Sequence, residues 1–149
     1  MNRALAKLPD AARLLLGLIF LVFGLNGFLN FLPQPPLPEA AAPFVTGLFQ
    51  SGYFFPFLKS VEIAAGLLLL AGIFVPLALA LLAPIVVNIA LFHLFLVPNP
   101  AMVVLLLALE IYLAWSYRDA FAPMLRLRTT PRIPRLARGG MAYRPEARA

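Results

Sequence analysis

Two carboxylates, one lysine, one histidine and three asparagines stand inside stretches of this chain that are otherwise apolar. They are Glu62 and Glu110, Lys59, His93, and Asn26, Asn30 and Asn88. A carboxylate at the centre of a bilayer costs at least about 2.5 kcal/mol even on lenient scales, so it needs a partner, a proton or a purpose. A carboxyl that keeps its proton donates a hydrogen bond to a carbonyl, and one that has lost it can accept a proton. Lys59 and Glu62 are three apart and can pair on one helix face. The alternative for Lys59 is to extend its stem toward the surface. His93, the only histidine, either binds a ligand or satisfies a backbone carbonyl. Asn26 and Asn30, four apart, share a face; Asn88 and His93, five apart, point to adjacent faces and can line two sides of one cavity. The plainest role for the asparagines is hydrogen-bonded glue between helices. A buried carboxyl, a histidine and several phenylalanines together meet the chemical needs of a quinone pocket. A proton path or a lipid-headgroup site needs similar groups.

The elements that must position these residues are hydrophobic helices. The chain has 149 residues, 62% of them hydrophobic and 12% charged, against about 25% charged in soluble domains. Cysteine is absent, which excludes disulfides, thiolate catalysis, iron–sulfur ligation and cysteine-bound zinc. One histidine cannot supply two axial ligands to a haem within one chain, so any electrons travel on a bound organic molecule or a partner. The basic residues collect at the ends. Arg3, Lys7 and Arg13 come early, eight arginines follow Tyr117, and only Lys59 lies between. No aromatic interleaving or binding motif accompanies the basic tail, so nucleic acid is not the expected partner. Positive-inside sorting instead puts both termini in the cytoplasm and requires an even number of spans.

The run from Ala11 to Leu32 reads as a first transmembrane helix, with Asp10 as its N-cap and Gly17, Gly24 and Gly27 as close-packing positions. The Pro-rich segment 33–43 breaks it and fits an external loop. The aromatic segment 44–55 is too short to span and reads as an interfacial or re-entrant helix. A second span covers about 56–75, with Lys59 and Glu62 in its first two turns and Ala64, Ala65, Gly66 and Gly72 as small packing positions. Pro76 leaves almost no loop before a third span over 77–97, so the two form a tight hairpin. Pro84 frees the carbonyl of Ala80 and bends that helix. A fourth span covers 101–117 with Glu110 near its middle, and Trp115 and Tyr117 suit an aromatic belt.

Three stretches carry a family resemblance: RLLLGLIFLVFGLNGF, then SGYFFPFLKSVEIAAGLLLLAGIFVPLAL, then the span containing NIALFHLFL. Over about 13–118 the chain resembles the DoxX family of small four-helix bacterial membrane proteins. The most specific part is Glu62 followed by Ala65, Gly66 and the run from Leu67 to Gly72, which is similar to a second-span pattern of that family. Arg13 matches the basic residue that usually opens helix one. Where many members carry Lys after the first-span glycine, this chain has Asn26 and Asn30. The resemblance implies a four-helix inner-membrane protein in an electron-transfer setting, with thiosulfate:quinone oxidoreductase and oxidative-stress complexes as the family's associations.

The expected architecture is therefore all-α: a polytopic four-transmembrane-helix bundle with a short interfacial or re-entrant helix after the first span. A cytoplasmic lead over 1–10 precedes a membrane domain over 11–119, and a disordered, Pro- and Arg-rich cytoplasmic tail over 120–149 faces anionic lipid. The expected function is a membrane subunit of a quinone-linked redox complex, not a stand-alone enzyme. Glu62, Glu110 and His93 are its proton-accepting or hydrogen-bonding groups, Asn26, Asn30 and Asn88 orient the ligand, and no metal is expected. A redox partner protein, membrane lipids and a second copy of the chain are the expected partners. The competing readings are a non-catalytic anchor or assembly factor and, less favoured, a small-solute or proton carrier, because no inverted repeat is visible.

Overall fold

The described residues are 7–33 and 36–128 of the computed structural model, and all of their regular structure is helical. Residues 1–6, 34–35 and 129–149 lie outside them, including most of the basic tail. Three helices are long and apolar enough to cross a membrane: α1 (Leu8–Leu29), α3 (Phe54–Ala71) and α4 (Val75–Phe95), of 22, 18 and 21 residues. The surface helix α2 (Ala42–Gln50) precedes α3. The apolar α5 (Pro100–Ser116) has 17 residues, about 26 Å at the helical rise, and a single turn, α6 (Arg118–Phe121), follows it.

Local chemistry sets the ends. Pro9 opens α1, with Asp10 in the first turn rather than at the cap; its carboxylate faces Arg13 at 3.5 Å. α1 stops at Asn30, whose left-handed backbone (φ 50°) returns its N–H to the Asn26 carbonyl. α3 closes in a Schellman turn: Gly72 (φ 71°) donates to Leu69 O at 3.2 Å, and Ile73 donates to Leu68 O at 3.2 Å. Gly72 is thus a turn residue as well as a small one, since a Cβ there would lie 3.0 Å from the Arg13 guanidinium. Phe74 follows with φ 49°, and Pro76 sits in the first turn of α4, so the hairpin between α3 and α4 has no slack. Asn99 caps α5, its Oδ1 accepting from the Met102 N–H at 3.2 Å. The aromatic segment is shorter than its composition suggests, because Phe54 and Phe55 belong to α3.

α1 packs on α3 and α5, and α4 packs on α3 and α5, so the four long helices form a ring around one core. Leu16, Phe20, Ala65, Leu69, Leu79, Leu82, Leu106 and Leu113 fill its centre. The α1–α3 approach is the tightest: a Cβ on Gly66 would lie 2.8 Å from Leu21 N and 2.9 Å from Gly17 O. Small residues at this contact let backbones meet without side chains between them. Outward faces are apolar on every long helix, for example Leu18, Phe57, Leu91 and Ile111, each more than 45% exposed. Such continuous apolar surface suits hydrocarbon rather than water.

Candidate functional site

The antiparallel register of α1 and α3 places Gly24 against Glu62 and Gly27 against Lys59. Lacking a Cβ at 27, α1 offers a slot in which the stem of Lys59 lies. An added Cβ there would come within 2.6 Å of Lys59 Cγ and 2.7 Å of Cδ. Held this way, Lys59 Nζ reaches one turn onward to Glu62, 3.0 Å from Oε1 and 2.8 Å from Oε2. Glu62 is 3% exposed, so the ammonium partners a carboxylate that is almost wholly removed from solvent. The Lys59 ammonium also lies 5.7 Å from the centroid of the Phe55 ring. The i, i+3 spacing anticipated the pair; the slot in α1 that aims it inward was not anticipated.

Two cavities meet at Lys59. The first, about 440 Å³, lies between α3 and α4 under α2. Its walls are Phe44, Leu48, Phe54, Leu58, Ile85 and Phe92, and its polar lining is Lys59, Glu62 and Asn88. Phe44 of α2 and Phe92 of α4 approach to 5.7 Å between ring centroids across it. Pro84 stands in the same wall, at the level where α4 lacks one backbone N–H. The second cavity, about 590 Å³, sits at the α2 end between α1, the segment 36–38, α2 and α4. Asn26, Asn30, Lys59 and His93 line it, together with Phe23, Phe49 and Val97.

The candidate residues therefore divide. Glu62 and Asn88 share the first cavity; Asn26, Asn30 and His93 share the second; Glu110 lines neither. Asn88 and His93 do not line two sides of one cavity as their spacing had suggested. Five residues turn a helix by about 140°, enough to put the two side chains in separate compartments. Asn26 is 5% exposed, and its Oδ1 accepts from the Leu32 N–H at 2.7 Å, tying down the chain beyond α1. His93 Nδ1 lies 2.9 Å from the Ile89 carbonyl, which can only accept, so Nδ1 carries a proton and donates it. Glu110 is 7% exposed, and its Oε2 has no hydrogen-bond partner among the described residues.

Arg13 does structural work that the sequence did not reveal. Its side chain is 14% exposed, and the guanidinium donates to the Leu69 carbonyl and, at 3.3 Å, to the Leu70 carbonyl. It thus neutralises the carbonyl end of α3 from across the α1–α3 contact, where a cation is favoured. The signal was present in the register: if Gly27 meets Lys59 and Gly17 meets Leu69, Arg13 must meet the Gly72 turn.

Comparisons of this chain with family models, with curated proteins and with solved structures find no match.

Proposed function

We propose that this chain is a DoxX-like protein that crosses the bacterial inner membrane four times and holds a quinone in the groove between α3 and α4. In this reading it serves as the membrane subunit of a redox complex. The observation that carries it is the first cavity: aromatic and aliphatic walls, with an amide and a hydrogen-bonded charge pair converging at one place. That is the composition of a small-molecule site, mostly apolar with a few placed polar groups. Four crossings are supported by α5, whose Val104 and Ile111 turn 66% and 65% of their surface outward although the helix is short. Slight local thinning or tilt of its neighbours accommodates about 26 Å of helix. Four crossings put both ends on one side, and the basic residues make that side cytoplasmic. α2 buries no residue and lies over both cavities, which suits an interfacial helix at headgroup level beside the exposed Tyr53.

Asn88 then orients the ring head and a Lys59 N–H donates to its carbonyl, with Glu62 holding the ammonium in place. Asn26, Asn30 and His93 border the neighbouring compartment, and Glu110 is a separate buried carboxyl in the ring. A second reading, a non-catalytic anchor for a partner protein, is favoured by how many polar groups are satisfied within the chain: Lys59 with Glu62, Asn26 with Leu32, His93 with Ile89.

Purification of the full chain in mild detergent, followed by extraction of co-purifying lipids, separates the two. Near-stoichiometric quinone in the wild type is expected, lost in Leu48→Trp, which fills the groove from the surface helix, and reduced in Asn88→Leu. His93→Ala, in the other cavity, should retain it. No quinone on the wild type would sink the redox reading and direct attention to partner capture.

A further inference from the structure

The groove contains two charges, and they cancel. One Lys59 ammonium spans both oxygens of Glu62, at 3.0 and 2.8 Å, and among the described residues no other charged side chain lines the cavity. The geometry is held by α1, because Gly27 seats the lysine stem while Gly24 lets the helix lie close against Ile63 and the Glu62 Cβ. An ammonium has three donors, and Glu62 takes two, leaving one N–H for an acceptor. Asn88 adds an amide, able both to donate and to accept.

A bilayer is crowded with anionic amphiphiles, and a bare ammonium in an apolar groove would bind them through an interaction that low dielectric strengthens. A ligand carboxylate or phosphate brought to the existing groove instead meets the Glu62 carboxylate beside the Lys59 ammonium, and like charges oppose it. A carbonyl carries no such penalty and can take the remaining Lys59 N–H and the Asn88 amide.

We propose that Glu62 is the residue that sets head-group specificity, masking Lys59 so that the groove takes uncharged carbonyl-bearing amphiphiles and refuses anionic ones. This deepens the reading of the α3–α4 groove as a binding site and rests on it. Specificity here comes from the repulsive element as much as from the attractive one.

Methyl palmitate and palmitate test it, since they share one chain and differ in head charge. The full-length protein is loaded in non-ionic detergent with equal amounts of both, at about pH 9, well above the carboxyl range. Native mass spectrometry counts the two bound forms. The wild type should favour the ester by about tenfold or more, equivalent to about 1.4 kcal/mol. Glu62→Gln, close in shape to the native residue, should shift the ratio toward the acid by at least a similar factor. Glu62→Gln combined with Lys59→Met, which removes both charges, should restore the preference for the ester. Leu48→Trp should abolish binding of both. If the ratio is the same in Glu62→Gln as in the wild type, charge masking is wrong while the groove stands. If the wild type binds neither probe, or binds both unaffected by Leu48→Trp, the groove itself is not the site and the proposal falls with it.

Discussion

Replacing Gly27 by alanine asks whether α1 holds the Lys59–Glu62 pair in place. The new Cβ would lie 2.6 Å from Lys59 Cγ, 2.7 Å from Cδ and 3.1 Å from Cε. Carbon atoms rest about 3.5–4.0 Å apart, so the middle of the lysine stem must move by about 1 Å. The clash runs along three successive atoms, and a tilt of the terminal ammonium does not relieve it. The stem must change rotamer, which carries Nζ away from Glu62. Losing one partner of a buried pair costs about 3–5 kcal/mol when the other stays charged. Lys59 keeps 18% of its side-chain surface exposed, which softens the loss, and alanine gains up to about 1 kcal/mol over glycine in a helix. The expected net cost is about 1–3 kcal/mol, read as lowered thermal stability in mild detergent. Lys59→Ala removes the three atoms nearest the new methyl, so Gly27→Ala should cost far less in that background. A double-mutant cycle isolates this coupling. An equal cost in both backgrounds, or none in the wild type, refutes the idea that α1 positions the pair.

Three further outcomes follow from the same packing. Gly66→Ala drives a methyl to 2.8 Å from Leu21 N and 2.9 Å from Gly17 O, backbone atoms that cannot turn aside, and should destabilise by about 1–3 kcal/mol; Gly47→Ala, with nothing within 4 Å, should be neutral in the same melting experiment. Arg13→Ala strips the cation from the Leu69 and Leu70 carbonyls and should cost about 1.5–3 kcal/mol, with Arg13→Lys recovering only part because one ammonium nitrogen cannot serve both those carbonyls and Asp10 as the two guanidinium nitrogens do. Glu110→Leu replaces a buried carboxyl whose Oε2 is unbonded among the described residues by an apolar side chain of similar size, so the melting temperature should hold or rise; a clear fall would mean that a ligand or second chain bonds Glu110.

The fold was legible where one helix suffices to explain a residue. Runs of apolar residues in helical lengths read directly as α1, α3 and α4, and the three-residue spacing of Lys59 and Glu62 anticipated a pair that the structure contains. Helix ends were less legible: Asp10 was expected as a cap and lies inside the first turn, and Gly72, expected only in packing, also closes the turn at the end of α3. Both differences arise because capping depends on one residue's backbone angles, which neighbouring sequence constrains weakly.

The site was legible as a list of residues and illegible as an arrangement. Hydrophobicity and the rarity of charge in apolar segments are enough to single out Lys59, Glu62, His93 and Glu110, because the cost of burying such groups is a property of each alone. Which of them meet depends on how far each helix is rotated and where it crosses its neighbours, and these are set by contacts between helices. The Gly17, Gly24, Gly27 and Gly66 contact fixes the α1–α3 register, and with it the slot that turns Lys59 inward and the place of Arg13 at the end of α3. The 140° or so between Asn88 and His93 was in the sequence, but only the placing of α2 against α1, α3 and α4 makes two cavities of it. The sequence determined that polar groups are buried in apolar helices; the packing of those helices decided that Glu62 and Asn88 face one compartment, His93 another and Glu110 neither.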